Sequence, residues 1–127
     1  MITTTELALR LYNRRSEAVN VKHVRIDGGD WLPEPNQCHR NVTQWCDWHP
    51  NQKAVRGWWV ADYLEIPPGF YRFFAHSVVE TETGDLIDLT PNPAPWRYPF
   101  LRHDQTDGDF AEIVDGGGII SVSYQME

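Results

Sequence analysis

Cys38, His76 and Asp88 are the residues of this 127-residue chain with the most chemical potential. A thiol, an imidazole and a carboxylate in that order can build a nucleophilic hydrolase or acyl-transfer site. The thiolate attacks, the imidazole moves the proton, and the carboxylate orients the imidazole. Whether the three can meet depends on the elements that carry them.

Cys38 falls within NQCHRNVTQWCDWH, residues 36–49. Pro35 is excluded from a helix interior, Asn36 is a favourable N-cap, and Pro50 ends the segment, so a helix is predicted from Gln37 onward. Helical periodicity puts Cys38, Val42, Trp45, Cys46 and His49 on one face. A helix N-terminus carries partial positive charge and unpaired N–H groups, which favour a thiolate and can hold a developing oxyanion. Gln37 adjoins that start and is a candidate oxyanion or substrate-binding residue. His39 is turned by about 100° from Cys38 along the helix, which predicts a place on the cleft rim, again as a substrate-binding residue.

His76 and Asp88 fall on two strand-like runs, YRFFAHSVVE and DLIDLT, separated by Thr83-Gly84. Loop length decides their relation. A two-residue turn sets Asp88 opposite Val79, on the face away from His76. A three-residue loop, Glu82-Thr83-Gly84 with Gly84 left-handed, sets Asp88 opposite Val78. His76 and Asp88 then become diagonal neighbours about 7–8 Å apart at the backbone, within reach of a hydrogen bond. Glycine in the third loop position selects the longer loop.

A Cys at a helix start, a strand His and an Asp on the next strand resemble the papain-like superfamily, most closely its transglutaminase-like and NlpC-type branches. HSVVE followed by GDLIDLTP is similar to the His…Asp-x-Thr/Pro run of transglutaminase-like domains. The resemblance covers roughly residues 36–91 and is a pattern of order and context. It implies an α+β fold with the Cys-bearing helix packed on an antiparallel β-sheet. It also implies Cys38 as nucleophile, His76 as general base and Asp88 as the residue that orients it. The expected chemistry is hydrolysis or acyl transfer at an amide, isopeptide or ester bond through a thioester. The substrate would be a peptide, a protein or a small amide or ester. The chain departs from the pattern in its bulky QCHR context. Gln37 directly precedes the Cys, whereas the papain-type oxyanion Gln stands several residues upstream.

Other readings compete for these residues. Cys38, His39, Cys46 and His49 could suggest zinc, but Cys38 and Cys46 on one straight helix are separated by about 12 Å of rise and cannot converge on one ion. The same separation excludes a disulfide between them. Cys46, inside the helix and beside tryptophans, reads as a small core residue. DGGG lacks the Lys and following helix of a phosphate loop. Neither metal nor cofactor is expected. The reading from a different class is a catalytically silent peptide- or protein-binding domain on the same fold, using its tryptophans.

Composition sets the bounds. The length suits a single domain, 1–127, with a real core. Hydrophobic residues make up 41 % and the formal charge is −7, which argues against nucleic-acid and anionic-membrane partners. No apolar run of spanning length and no signal-peptide pattern are seen, and two cysteines are too few for a disulfide scaffold, so a cytoplasmic location is expected.

The remaining elements frame the site. TTELALRLYNRRSEA predicts a cover helix with Leu7, Leu9, Leu11 and Tyr12 as its apolar stripe, and VNVKHVRI a strand. WLPEPNQ is a proline-stiffened lead-in to the Cys helix that places Trp31 as a candidate cleft-lining residue. GWWVADYLEI predicts a strand turned at Pro67-Pro68-Gly69 onto residues 70–80, so that His76 lies in the middle strand of a meander. PNPAPWRYPF reads as a loop or strap, and RHDQTDGD as a polar loop. FAEIV and IISVSYQ around DGGG predict a second hairpin.

Overall fold

The structure, a computed structural model, describes residues 2–27, 29–61, 70–92 and 98–125. The chain is α+β and forms two compact units assembled from interleaved segments. One unit takes residues 1–20, 57–75 and 98–127, and the other residues 21–56 and 76–97.

The first unit contains α1 (Thr4–Asn13). Thr3 caps it: its Oγ1 accepts from the Glu6 N–H at 3.1 Å, which satisfies one orphan helix donor, and donates to Glu6 Oε1 at 3.1 Å. Leu7, Ala8 and Leu11 form the buried stripe, while Leu9 faces solvent. The stripe packs with Trp58, Phe73, Leu101, Phe110, Ile113 and Val122. Gly57 lies where an added Cβ would run into the Leu101 carbonyl, so only glycine fits there.

The second unit holds the cysteine helix. Here β1 (Lys22–His23) pairs in parallel with β4 (Leu86–Asp88), and α2 is Cys38–Trp48. Two long strands, β2 (Lys53–Ala61) and β3 (Phe70–Glu80), contribute residues to both units. In the second unit β3 pairs antiparallel with β4, and Val42 of α2 is buried with Val79 and Leu89. The cysteine helix therefore packs on the sheet, as expected. The sheet itself is mixed rather than purely antiparallel, because β1 joins β4 in parallel.

Other expectations are corrected. PNPAPWRYPF and RHDQTDGD were expected to be loops, yet β5 (Phe100–Arg102) forms at their junction and pairs with β2. Phe100 and Leu101 are buried there. FAEIV is not a strand. It lies in α3 (Asp107–Ala111) and the π turn Glu112–Gly116 that continues it. Thr106 caps α3 by accepting from the Asp109 N–H at 3.1 Å, and Phe110, Ile113 and Val114 follow helical spacing into the core. Residues Ser121–Gln125 form β6, which pairs antiparallel with the first half of β3. The Pro67-Pro68-Gly69 turn and residues 93–97 of the proline strap lie outside the described residues. No described helix is long and apolar enough to cross a membrane.

Candidate active site

The hairpin between β3 and β4 has the longer loop. Val79 stands opposite Ile87 and Glu80 opposite Leu86, and the same register puts Asp88 opposite Val78. The Gly84 N–H donates to Thr81 O at 2.9 Å, and the Thr81 N–H donates to Asp85 O at 2.8 Å. Gly84 has φ +88°, a left-handed conformation that glycine adopts without steric cost. The loop is thus Glu82-Thr83-Gly84.

That register brings His76 and Asp88 together. His76 Nε2 lies 2.8 Å from Asp88 Oδ2. The residues are 3 % and 4 % exposed, so water does not compete for the bond. The other carboxylate oxygen, Oδ1, accepts from the Thr90 N–H at 3.1 Å. With Nε2 held by Asp88, the His76 ring acts on the Cys38 thiol and lowers its pKa.

Cys38 stands at the first position of α2, as expected, but the cap is Gln37 rather than Asn36. Asn36 instead has φ +63° and, with Pro35 before it, forms the turn closed by the Gln37 N–H on Glu34 O at 3.3 Å. Proline then asparagine at the two central positions suits a type II turn. No side chain caps α2, and its first intrahelical bond runs from the Asn41 N–H to Gln37 O at 2.8 Å. The backbone N–H of Cys38 precedes that bond and lies at the positive end of the helix.

Charge at the site follows from these contacts. Burial alone would raise the Cys38 pKa, but hydrogen bonds from His39 and His76 and their charges outweigh it and lower it to about 6. Burial would lower the His76 pKa, but the Asp88 and Cys38 hydrogen bonds and charges raise it to about 9. Between those values the arrangement favours a thiolate–imidazolium pair. Cys46 shows the opposite behaviour: burial pushes its pKa up. It packs beside Val42 and Trp45 as a core residue, and both cysteines are free thiols.

The chain matches no protein-family model, no curated protein and no solved structure. The site therefore rests on its own geometry.

The expected substrate-binding residues fall in three different places. Gln37 is exposed beside the thiol, at the helix cap. Trp31 packs with the Val42 cluster and meets Trp48 edge-on, with ring centroids 5.2 Å apart. His39 is half-buried next to Cys38, whose pKa it lowers, and its Nδ1 lies 2.5 Å from Ser77 Oγ. Among the described residues, no cluster of three or more His, Cys, Asp or Glu is arranged to hold a metal.

Sequence reading passed over Asn41. Its buried side chain accepts from the Glu34 N–H at 3.0 Å, donates to Glu34 O at 2.8 Å and donates to Thr90 Oγ1 at 3.1 Å. One amide thus ties the lead-in of the Cys helix to the residue two beyond Asp88. Its place one turn after Cys38, on the helix face toward the sheet, was the available signal.

Proposed function

We propose that the protein is a small thiol hydrolase or acyl transferase that uses Cys38, His76 and Asp88 and acts on an amide, isopeptide or ester bond. The observation that carries this reading is the buried His76–Asp88 hydrogen bond at 2.8 Å, with His76 in turn lowering the pKa of Cys38. The resemblance to transglutaminase-like and NlpC-type domains belongs to the same proposal.

In the proposed reaction the Cys38 proton resides on His76, whose imidazolium is stabilised by Asp88. The thiolate attacks the carbonyl carbon, and the carbonyl electron pair moves to oxygen. The Cys38 backbone N–H at the helix start, with Gln37 beside it, is the proposed donor to the oxyanion. The oxyanion collapses and the C–N or C–O bond breaks, while His76 gives its proton to the leaving group and a thioester remains. Water or an amine, deprotonated by His76, then attacks the thioester and releases Cys38. Peptidase, amidase, deamidase and transglutaminase chemistry share these steps and differ in acyl donor and acceptor.

The test is mass spectrometry of the intact protein after exposure to a panel of activated esters and peptide amides. A transient acyl adduct on Cys38, absent in Cys38→Ala and His76→Ala variants that keep the native circular dichroism, is expected. Adducts that form equally on the His76→Ala protein would refute the triad.

A further inference from the structure

The triad leaves a second imidazole at the thiol unexplained. His39 follows Cys38 directly, yet its ring is held by a separate set of groups. Its Nδ1 lies 2.5 Å from Ser77 Oγ, and Ser77 is fully buried on β3. Arg56 on β2 donates from NH1 to Ser77 Oγ at 2.9 Å and to the His39 carbonyl at 3.2 Å. Its NH2 donates to Thr43 Oγ1 at 2.9 Å, and that hydroxyl donates to the same His39 carbonyl at 2.9 Å.

A guanidinium only donates, and a serine hydroxyl has one proton to give and two lone pairs to accept with. Ser77 Oγ accepts from Arg56 and keeps its own proton to give. Given to His39 Nδ1, that proton makes the ring the Nε2–H tautomer. We propose that His39 is a second catalytic imidazole, fixed as an Nε2–H donor to the Cys38 thiolate by the positioning residues Ser77 and Arg56. The inference rests on Cys38 being the nucleophile of the proposed reaction.

The roles of the two rings differ. His76, backed by the Asp88 carboxylate on β4, carries the proton taken from the thiol. His39, backed by a hydroxyl and a cation, keeps its proton and gives a hydrogen bond. In this role it holds the sulfur by a hydrogen bond and leaves the proton transfer to His76. The low Cys38 pKa agrees with a thiolate held from both sides.

Two measurements test this. The first is the pH dependence of Cys38 alkylation by iodoacetamide, followed by peptide mass spectrometry. His39→Ala should raise the midpoint by about one to two pH units, the worth of one hydrogen bond to a charged group. His39→Gln, which keeps an N–H donor, should recover part of that shift, and Ser77→Ala should raise the midpoint by less than His39→Ala. The second is ¹⁵N NMR of the histidine-labelled protein, which should give His39 as the Nε2–H tautomer. A low midpoint in the wild-type protein that both His39 variants leave unchanged would overturn the inference while leaving the triad standing. So would a His39 ring protonated on Nδ1. An ordinary thiol midpoint in the wild-type protein would instead overturn the nucleophile and the inference with it.

Discussion

His76 Nε2 and Asp88 Oδ2 stand 2.8 Å apart on paired strands, both side chains buried. A buried imidazole ordinarily loses its charge. Here the carboxylate reverses that tendency, so the proton taken from Cys38 has a stable place to reside.

Asp88→Asn removes the charge and keeps the shape. The His76 pKa should fall, and the thiolate–imidazolium pair should weaken with it. Turnover is expected to drop about 10²–10⁴-fold, the usual worth of a positioned acid–base group, whereas Cys38→Ala should remove it altogether. Steady-state kinetics on the two variants make the comparison. Equal, near-wild-type rates for Asp88→Asn would show that the carboxylate does not serve the ring.

Gly84→Val tests the register without touching the site. The added Cβ meets nothing within 4 Å, so the cost is conformational: a non-glycine residue at φ +88° loses about 1–2 kcal/mol, more when β-branched. Denaturant unfolding should show that loss, and activity should fall as Asp88 shifts. Gly84→Asn should be milder, because asparagine tolerates the left-handed region.

This hairpin was the most legible part of the chain. Loop length and one glycine fix the register, and the register fixes which face Asp88 occupies. The Cys helix was legible too, bracketed by Pro35 and Pro50. Its cap was not: asparagine suits both an N-cap and a left-handed turn, and Asn36 took the turn. The parallel pairing of Lys22 with Ile87 joins residues far apart in sequence, which local pattern does not encode. FAEIV is too short to separate a strand from a helix by period, and the Thr106 cap decided it. His39 shows a further limit. Helical phase gives the direction of a Cβ, but the ring reaches Ser77 through a tertiary contact.

Asn41→Ala should loosen the site through the backbone. It removes three hydrogen bonds and leaves the buried Thr90 hydroxyl without this donor. A stability loss of about 1–3 kcal/mol is expected, with a fall in activity because the Glu34 loop no longer fixes the start of the Cys helix. Asn41→Asp keeps the acceptor for the Glu34 N–H and loses both donated bonds, so it should not rescue either property. Unfolding curves and kinetics together check this, and an Asn41→Ala protein of unchanged stability would contradict the role given to this amide.

The most direct test of the nucleophile is the alkylation rate of each cysteine as a function of pH. Thiolate reacts and thiol does not, so the rate at Cys38 should follow a midpoint near the pKa of about 6 that His76 and His39 impose. Cys46, whose pKa burial raises above 9.0, should label slowly throughout. In the His76→Ala protein the Cys38 midpoint should move upward, and Cys46→Ala should leave it in place. A Cys38 midpoint near the ordinary 9.0, or one indifferent to the loss of His76, would contradict the account.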